Sequence, residues 1–194
     1  MKHPSANYRT FFRLPALQVG LLLVATLALS ACTTPRKVPP CPNIFALANT
    51  RNIEQFKDQI GRDAKDVDFR ISLDEWKGSC EFKPREDDAA KSADWDVNIE
   101  MSIAFTATRG PANKSGTATV QYFVAIPYYY PSSAGKAVFP LSITFPPGVD
   151  TVHVTDGPLA MTIPMKNSDV IDNYTIYLGF QETAEQMERN RRGR

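Results

Sequence analysis

Few side chains in this sequence are suited to acid–base or nucleophilic chemistry. His153 is one of only two histidines, and it lies in a segment that alternates like a strand. Ser133 and Lys136 have the S-x-x-K spacing of a serine nucleophile beside a lysine, but that motif needs a helix start, and this segment joins two strand patterns. No zinc-ligand spacing, P-loop or dinucleotide-binding motif occurs. The sequence therefore predicts no catalytic residue, no metal site and no cofactor, and a protein that is not an enzyme.

The Cys32 thiol has the clearest predicted chemistry, because of the segment that precedes it. Three basic residues and no acid come before the apolar stretch Leu14–Leu29, and the small residues Ser30 and Ala31 follow that stretch. This division is typical of a secretory signal peptide. The apolar run is short for a membrane span, which needs about 20 residues. We predict that residues 1–31 are a signal peptide.

The residues Leu29-Ser30-Ala31-Cys32 resemble the lipobox of bacterial lipoproteins. The resemblance implies that the Cys32 thiol receives a diacylglycerol, that the chain is cut before Cys32, and that the new amino group is acylated. A single acyl chain binds a membrane only marginally, whereas two or three acyl chains give a stable anchor. Palmitate is the kind of chain expected here. Thr33 rather than Asp follows Cys32, which favours the outer membrane under the sorting rule of enteric lipoproteins. We expect a lipoprotein of the cell envelope on the outer membrane, facing the periplasm.

Residues 32–40 form the predicted tether between the lipid and a domain at 41–194. Pro35, Pro39 and Pro40 favour extended backbone at about 3.1 Å per residue. Removal of the leader takes away three of 22 basic residues and none of 21 acidic ones, so the processed chain has 163 residues and a net charge of −2. That length suits one domain with a sizeable core. The near-neutral charge argues against nucleic acid as a partner.

Cys41 and Cys80 remain once Cys32 is assigned to the lipid. An even pair of cysteines in an oxidising compartment predicts a disulfide. Its loop of about 40 residues corresponds to roughly 4 kcal/mol in the chain-entropy description. The alternative is two free thiols, although no C-x-x-C spacing supports a redox pair.

The spacing of apolar residues predicts a mainly β domain. Trp95–Ala107 alternates six apolar with polar residues, which is typical of a long, half-buried antiparallel strand. Asn52–Phe56 has the composition of a helical turn, and Ile44 with Leu47 fits either a strand or a helical turn. Thr183 and Gln186 fit a capping box, which predicts a short C-terminal helix. Further strands are predicted at Val67–Ser72, Gly78–Phe82, Thr117–Ile126, Lys136–Phe145, Thr151–Val154, Leu159–Pro164 and Tyr174–Phe180.

Short strands with frequent turn signals predict a single antiparallel β-sandwich. Asp172–Tyr177 resembles the tyrosine corner of immunoglobulin-like domains, so the expected sandwich is immunoglobulin-like. The whole processed chain also resembles a group of small uncharacterised proteobacterial lipoproteins, which implies the anchor and the disulfide and no catalytic residue. The shared features are the lipobox, Cys41-Pro42, Gly61-Arg62-Asp63, Gly78-Ser79-Cys80, Arg109-Gly110-Pro111, Tyr122-Phe123-Val124-Ala125 and Leu178-Gly179-Phe180-Gln181.

Two surfaces are candidates for contact with a partner. Tyr128, Tyr129 and Tyr130 are adjacent, so they cannot all face one core, and tyrosine is favoured at interfaces. The alternative for this segment is a rigid loop whose rings cap the end of the sandwich. The second candidate is a basic C-terminal cluster suited to phosphate or carboxylate groups, and it consists of Arg189, Arg191 and Arg192.

Together these features predict a lipid-anchored binding or assembly module. Its partners are the membrane, through the lipid on Cys32, and an envelope protein or glycan of unknown identity. The alternatives are an envelope hydrolase with an unrecognised site and a purely structural component of the outer membrane.

The first prediction concerns the anchor. Cys32→Ser should block lipidation and leave unprocessed precursor, because the acceptor thiol is lost. Mobility on a denaturing gel and membrane fractionation measure both effects. A Cys32→Ser chain that is still cut before residue 32 and still pellets with membranes contradicts the lipobox assignment.

Overall fold

The computed structural model describes residues 39–57, 63–85, 94–166 and 169–192. Residues 38–194 form a compact unit. The predicted signal peptide, the lipid on Cys32 and residues 33–38 of the tether lie outside the described residues and stay predictions. Within the described ranges, no helix is both long and apolar enough to cross a membrane.

The described residues form two four-stranded sheets and a C-terminal helix. The first sheet has the order β1-β8-β5-β6, and the second has the order β2-β3-β4-β7. Their ranges are β1 Ile44–Ala46, β2 Asn52–Phe56, β3 Val67–Pro84, β4 Trp95–Arg109, β5 Thr117–Ala125, β6 Lys136–Thr144, β7 Thr151–Met165, β8 Ile176–Phe180 and the helix α1 Ala184–Arg192.

The two sheets pack face to face through the alternating strand β4. Its odd-numbered side chains from Trp95 to Ala107 are buried, and its even-numbered ones are partly or fully exposed. The Phe105 ring lies 5.3 Å from Tyr122 and 5.9 Å from Phe180, and both of those belong to the other sheet. Each large apolar side chain buried in this way contributes about 1.5–3 kcal/mol. The sandwich-like arrangement predicted from the alternation is thus confirmed.

Two pairs of predicted strands are single strands in the structure. Val67–Ser72 and Gly78–Phe82 both belong to β3, with a register shift between Leu73 and Glu75. The segments on either side of Gly157 both belong to β7, where Gly157 has a φ of +127° that only glycine adopts readily. Residues that predict a turn from the sequence form bulges within β3 and β7 instead. This is because β4 pairs with each of these strands on both sides of the bulge.

Two expectations about the N-terminal part of the domain are wrong. Asn52–Phe56 is a strand paired with β3, and it is not a helical turn. β1 pairs with β8 in parallel, so the sandwich is not wholly antiparallel. No hairpin joins β1 to β8, which lie far apart in the chain, so the connection leaves their relative direction free.

The Cys41–Cys80 disulfide is confirmed, with a Cα–Cα distance of 5.8 Å. Cys41 lies just before β1 of the first sheet, and Cys80 lies in β3 of the second. The bond therefore ties the start of the domain across the sandwich. The alternative of two free thiols does not hold in this structure.

The C-terminal helix begins with the predicted capping box. The Gln186 N–H donates to Thr183 Oγ1 at 3.2 Å, and the Thr183 N–H donates to Gln186 Oε1 at 2.8 Å. The same buried Gln186 side chain donates to Gln55 Oε1 at 2.9 Å. That bond docks the helix start on β2.

The second prediction concerns this disulfide. Replacing both Cys41 and Cys80 by Ala should lower the free energy of unfolding of residues 38–194 by about 2–4 kcal/mol, because the unfolded chain regains loop freedom. Urea denaturation measures the change. A reductant should destabilise the wild type and leave the double variant unchanged. Equal stability of the two chains without reductant contradicts a formed bond.

Candidate functional site

An apolar cleft opens between the free edges of the two sheets. β6 ends the first sheet and β7 ends the second, so within the described residues neither strand is paired on its outer side. A cavity of about 350 Å³ lies between β7 and the wall formed by β5, β6 and the loop between them. The Tyr129 hydroxyl, on that loop, donates to the Pro164 carbonyl of β7 at 3.1 Å and so joins the two edges.

The β7 wall of the cleft runs from Pro158 to Pro164. Leu159, Met161 and Ile163 are at least partly buried, because they share the inward-facing register of the core, and the alternate residues are exposed. The Pro164 carbonyl points away from β4, since it accepts from Tyr129. Backbone groups alternate in direction along an antiparallel strand, so those of Ala160 and Thr162 also point away from β4.

The opposite wall is formed by β5, β6 and the loop between them. Val124, Ile126, Ala137 and Phe139 line it, and all four side chains are apolar. Phe139 is fixed by stacking on the buried Tyr122, with ring centroids 5.3 Å apart. Well-supported rings of this kind keep a cavity wall in place when no ligand is bound.

The predicted tyrosine contact surface lies at one end of this cleft. Pro127–Tyr129 forms a 3₁₀ helix after β5. Tyr128 lies 4.6 Å from the Tyr174 ring, and the half-buried Tyr129 lines the cavity. Tyr130 is 84% exposed. The expectation that at least one of the three tyrosines is exposed is confirmed, and Tyr128 is exposed as well. Tyr129 packs as the capping-loop alternative describes.

The phenols around the cleft are held neutral. Burial raises the pKa of Tyr129 to about 12. Burial also raises the pKa of Tyr122 and Tyr174, and each is raised further by its hydrogen bond to a carboxylate. Tyr122 donates to Asp156 Oδ2 at 2.6 Å, and Tyr174 donates to Asp169 Oδ2. The cleft therefore has an uncharged tyrosine in its lining at physiological pH.

A polar cluster on the outer face of the second sheet contains the only histidine of the described residues. His153 Nδ1 lies 2.7 Å from Thr106 Oγ1, which also bonds to the Asp74 carboxylate. Ser72 Oγ donates to Asp74 Oδ1 at 2.6 Å. In a Ser-His-Asp triad the histidine lies between the acid and the nucleophile. Here the hydroxyl lies between them, so His153 is not oriented by Asp74 as a base for Thr106.

The remaining predicted residues are placed as follows. Ser133–Gly135 is a short 3₁₀ helix rather than the start of an α-helix, which the S-x-x-K motif requires. In the described ranges, no three or more His, Cys, Asp or Glu side chains are grouped so as to hold a metal. Cys32 lies outside the described residues. α1 carries a basic cluster whose side chains lie outside the described part of the chain, at Arg189, Arg191 and Arg192.

The residues that line the cleft were not identified as a site from the sequence. Alternation marks Met161 and Ile163 as inward-facing, yet it does not show that β7 is an edge strand or that β6 lies opposite. The one available signal was the tyrosine run, which does lie at the end of the cleft.

No family model, curated protein or solved structure matches the chain. The case for a function therefore depends on the geometry and chemistry of the cleft.

The third prediction concerns pH. The raised pKa of Tyr129 means that the folded state keeps a proton which the unfolded state releases at about pH 10. The associated stability is complete below pH 10 and is lost as the pH rises towards about 12. Tyr129→Phe should therefore lose less stability than the wild type between pH 9 and about 11, measured by urea denaturation at each pH.

Val138→Ala is the control for this measurement. It changes an exposed side chain on β6 without removing a phenol, so it should keep the wild-type dependence on pH. An identical loss of stability in Tyr129→Phe and the wild type contradicts the raised pKa.

Proposed function

We propose that this chain is a lipid-anchored lipoprotein of the bacterial cell envelope whose domain is a non-enzymatic binding or assembly module, and that the cleft between β6 and β7 is its binding site. The observation that carries the proposal is the apolar cavity of about 350 Å³. Small-molecule sites are typically concave, largely preformed and mostly apolar, with volumes of about 300–1,000 Å³. The cleft has these properties.

The anchor supports an envelope location. The leader, the lipobox resemblance at Cys32 and the prolines of residues 32–40 describe a domain held a short distance from a membrane. The residue after Cys32 favours the outer membrane, with the domain facing the periplasm. In this setting the partner is the lipid surface or an envelope protein or glycan, and the net charge of the processed chain does not favour nucleic acid.

The tyrosine loop supports a contact beside the cleft. Tyr130 is 84% exposed and Tyr128 is 47% exposed, although both are large and partly apolar. Tyrosine supplies contact area at low entropic cost and is enriched among residues that dominate binding energy. A partner that inserts a group into the cleft at the Tyr129 end would therefore also meet these two rings.

The immunoglobulin-like part of the fold prediction belongs with this proposal. Its support is Tyr174, which is buried just before β8 and bonds to a residue upstream, as in a tyrosine corner. The acceptor is the Asp169 side chain rather than backbone. The sheet orders also differ from the ABED and CFG orders of immunoglobulin constant domains.

The fourth prediction tests the cleft as the binding site. Ala137 is exposed and lines the cleft, so Ala137→Trp should fill it with little effect on the core. Val138 points to the opposite face of the same strand, so Val138→Trp is the matched control. We expect purified envelope fractions to retain wild-type residues 38–194. The retained amount should fall at least tenfold in Ala137→Trp and stay at the wild-type level in Val138→Trp.

Salt and a truncation separate the cleft from the arginine cluster. Retention through the cleft should persist at high ionic strength, whereas retention through arginines should weaken steeply. If a chain cut before Arg189 is no longer retained while Ala137→Trp still is, binding belongs to the C-terminal arginine cluster. Equal retention of every variant would leave the purely structural role.

A further inference from the structure

We infer that the ligand of the cleft is a single acyl chain, from a fatty acid or a membrane lipid. This inference rests on the proposed binding function and specifies the chemistry of its ligand. It depends on the shape of the cavity, on the hydrogen bonding of its lining and on the prolines at its two edges.

The cleft is long relative to its volume. Its β7 wall includes every residue from Pro158 to Pro164. Six steps of about 3.3 Å give this wall a length of about 20 Å. A volume of about 350 Å³ spread along such a wall makes a narrow channel. A narrow channel fits one extended chain better than a fused ring system.

The side chains of the lining offer apolar contact along its length. Leu159, Met161 and Ile163 on β7 face Phe139 and its neighbours across the cleft. Methionine adapts to irregular apolar ligands because its side chain is unbranched and flexible. This wall therefore suits a flexible hydrocarbon.

The two hydroxyl groups of the lining are already used as donors. Tyr129 donates to the Pro164 carbonyl at 3.1 Å, and the Thr162 hydroxyl donates to Asn98 Oδ1 at 2.8 Å. These hydroxyls can still accept a hydrogen bond but cannot donate one, so a sugar in the cleft would find donors only in the backbone of Ala160 and Thr162. Incomplete replacement of its hydrogen bonds to water is unfavourable. A polymethylene chain has no such requirement.

Prolines on both edges disfavour the other extended ligand, a peptide strand. The Pro164 carbonyl of β7 points away from β4, and Pro164 has no N–H at that edge. Pro158, at the register shift of the same strand, also lacks an N–H. On β6, the Gly135 carbonyl and the Phe145 N–H bond towards β5, so the alternate residue Pro140 faces the free edge. Strand addition needs a regular series of donors and acceptors, and prolines at these positions interrupt it.

The test measures binding of octanoate, decanoate and dodecanoate to residues 38–194 by calorimetry, below the concentrations at which these probes form micelles. Burial of one methylene should strengthen binding by up to about fourfold. The wild type and Val138→Trp should therefore bind more tightly as the chain lengthens. Ala137→Trp should bind dodecanoate at least tenfold more weakly. A thermal melt of each variant confirms folding.

A second variant protects the test against misfolding. If Ala137→Trp does not fold, Ala134→Trp replaces it, because Ala134 is an exposed lining residue outside the strands. Naphthalene and an octapeptide of alternating valine and threonine are the competing probes. Binding of either one in preference to dodecanoate, or affinity that does not depend on chain length, overturns the inference.

Two further arms distinguish the source of the chain. One arm is binding of dodecanoate in solution, and the other is transfer of lipid from vesicles of phosphatidylethanolamine and phosphatidylglycerol. Binding without transfer identifies the ligand as a free fatty acid. Extraction of lipid from those vesicles assigns a membrane lipid, and both outcomes support an acyl chain. If Ala137→Trp abolishes retention on envelopes while no fatty acid binds, the proposed function stands and the acyl-chain inference is wrong.

Discussion

The packing of two apolar sheet faces against each other is the constraint on which the rest of this structure depends. β4 supplies the centre of one face, and its inward side chains meet those of β5 and β8. Because each sheet has four strands in the part of the chain that the structure describes, its face ends there at β6 or β7. Side chains within the sandwich fill the core, and an apolar cavity opens into it along the side between β6 and β7.

The cleft is a consequence of this arrangement. Because no strand closes the gap between β6 and β7 in the described residues, apolar side chains such as Met161 are partly exposed. Exposed apolar surface beside an open strand edge must be covered, filled with a ligand or protected from pairing with another chain. Prolines at Pro140, Pro158 and Pro164 disfavour pairing with a strand of another chain. Tyr129 bridges the two edges at one end. The cleft can thus remain open to a hydrocarbon without inviting aggregation.

Local features of this fold could be predicted from the sequence, and long-range ones could not. Alternation over Trp95–Ala107 predicted β4, because side-chain direction has a period of two. The capping box at Thr183 predicted the helix start, because its bonds join residues three apart. The pairing of β4 with β7 joins residues from 43 apart (Thr108 and Thr151) to 70 apart (Trp95 and Met165), so no local pattern shows it. The cleft depends on this strand order, which is why only its tyrosine rim was identified beforehand.

The most direct test of the binding site is methyl nuclear magnetic resonance on residues 38–194 with labelled Leu, Ile and Met, titrated with dodecanoate. We predict intermolecular nuclear Overhauser effects between the dodecanoate chain and the methyl groups of Leu159, Met161 and Ile163. Ile53 on β2, at the opposite edge of the second sheet, should show none. Contacts from dodecanoate to Ile53 instead of the β7 methyl groups, or to no methyl group of the domain, would contradict this account.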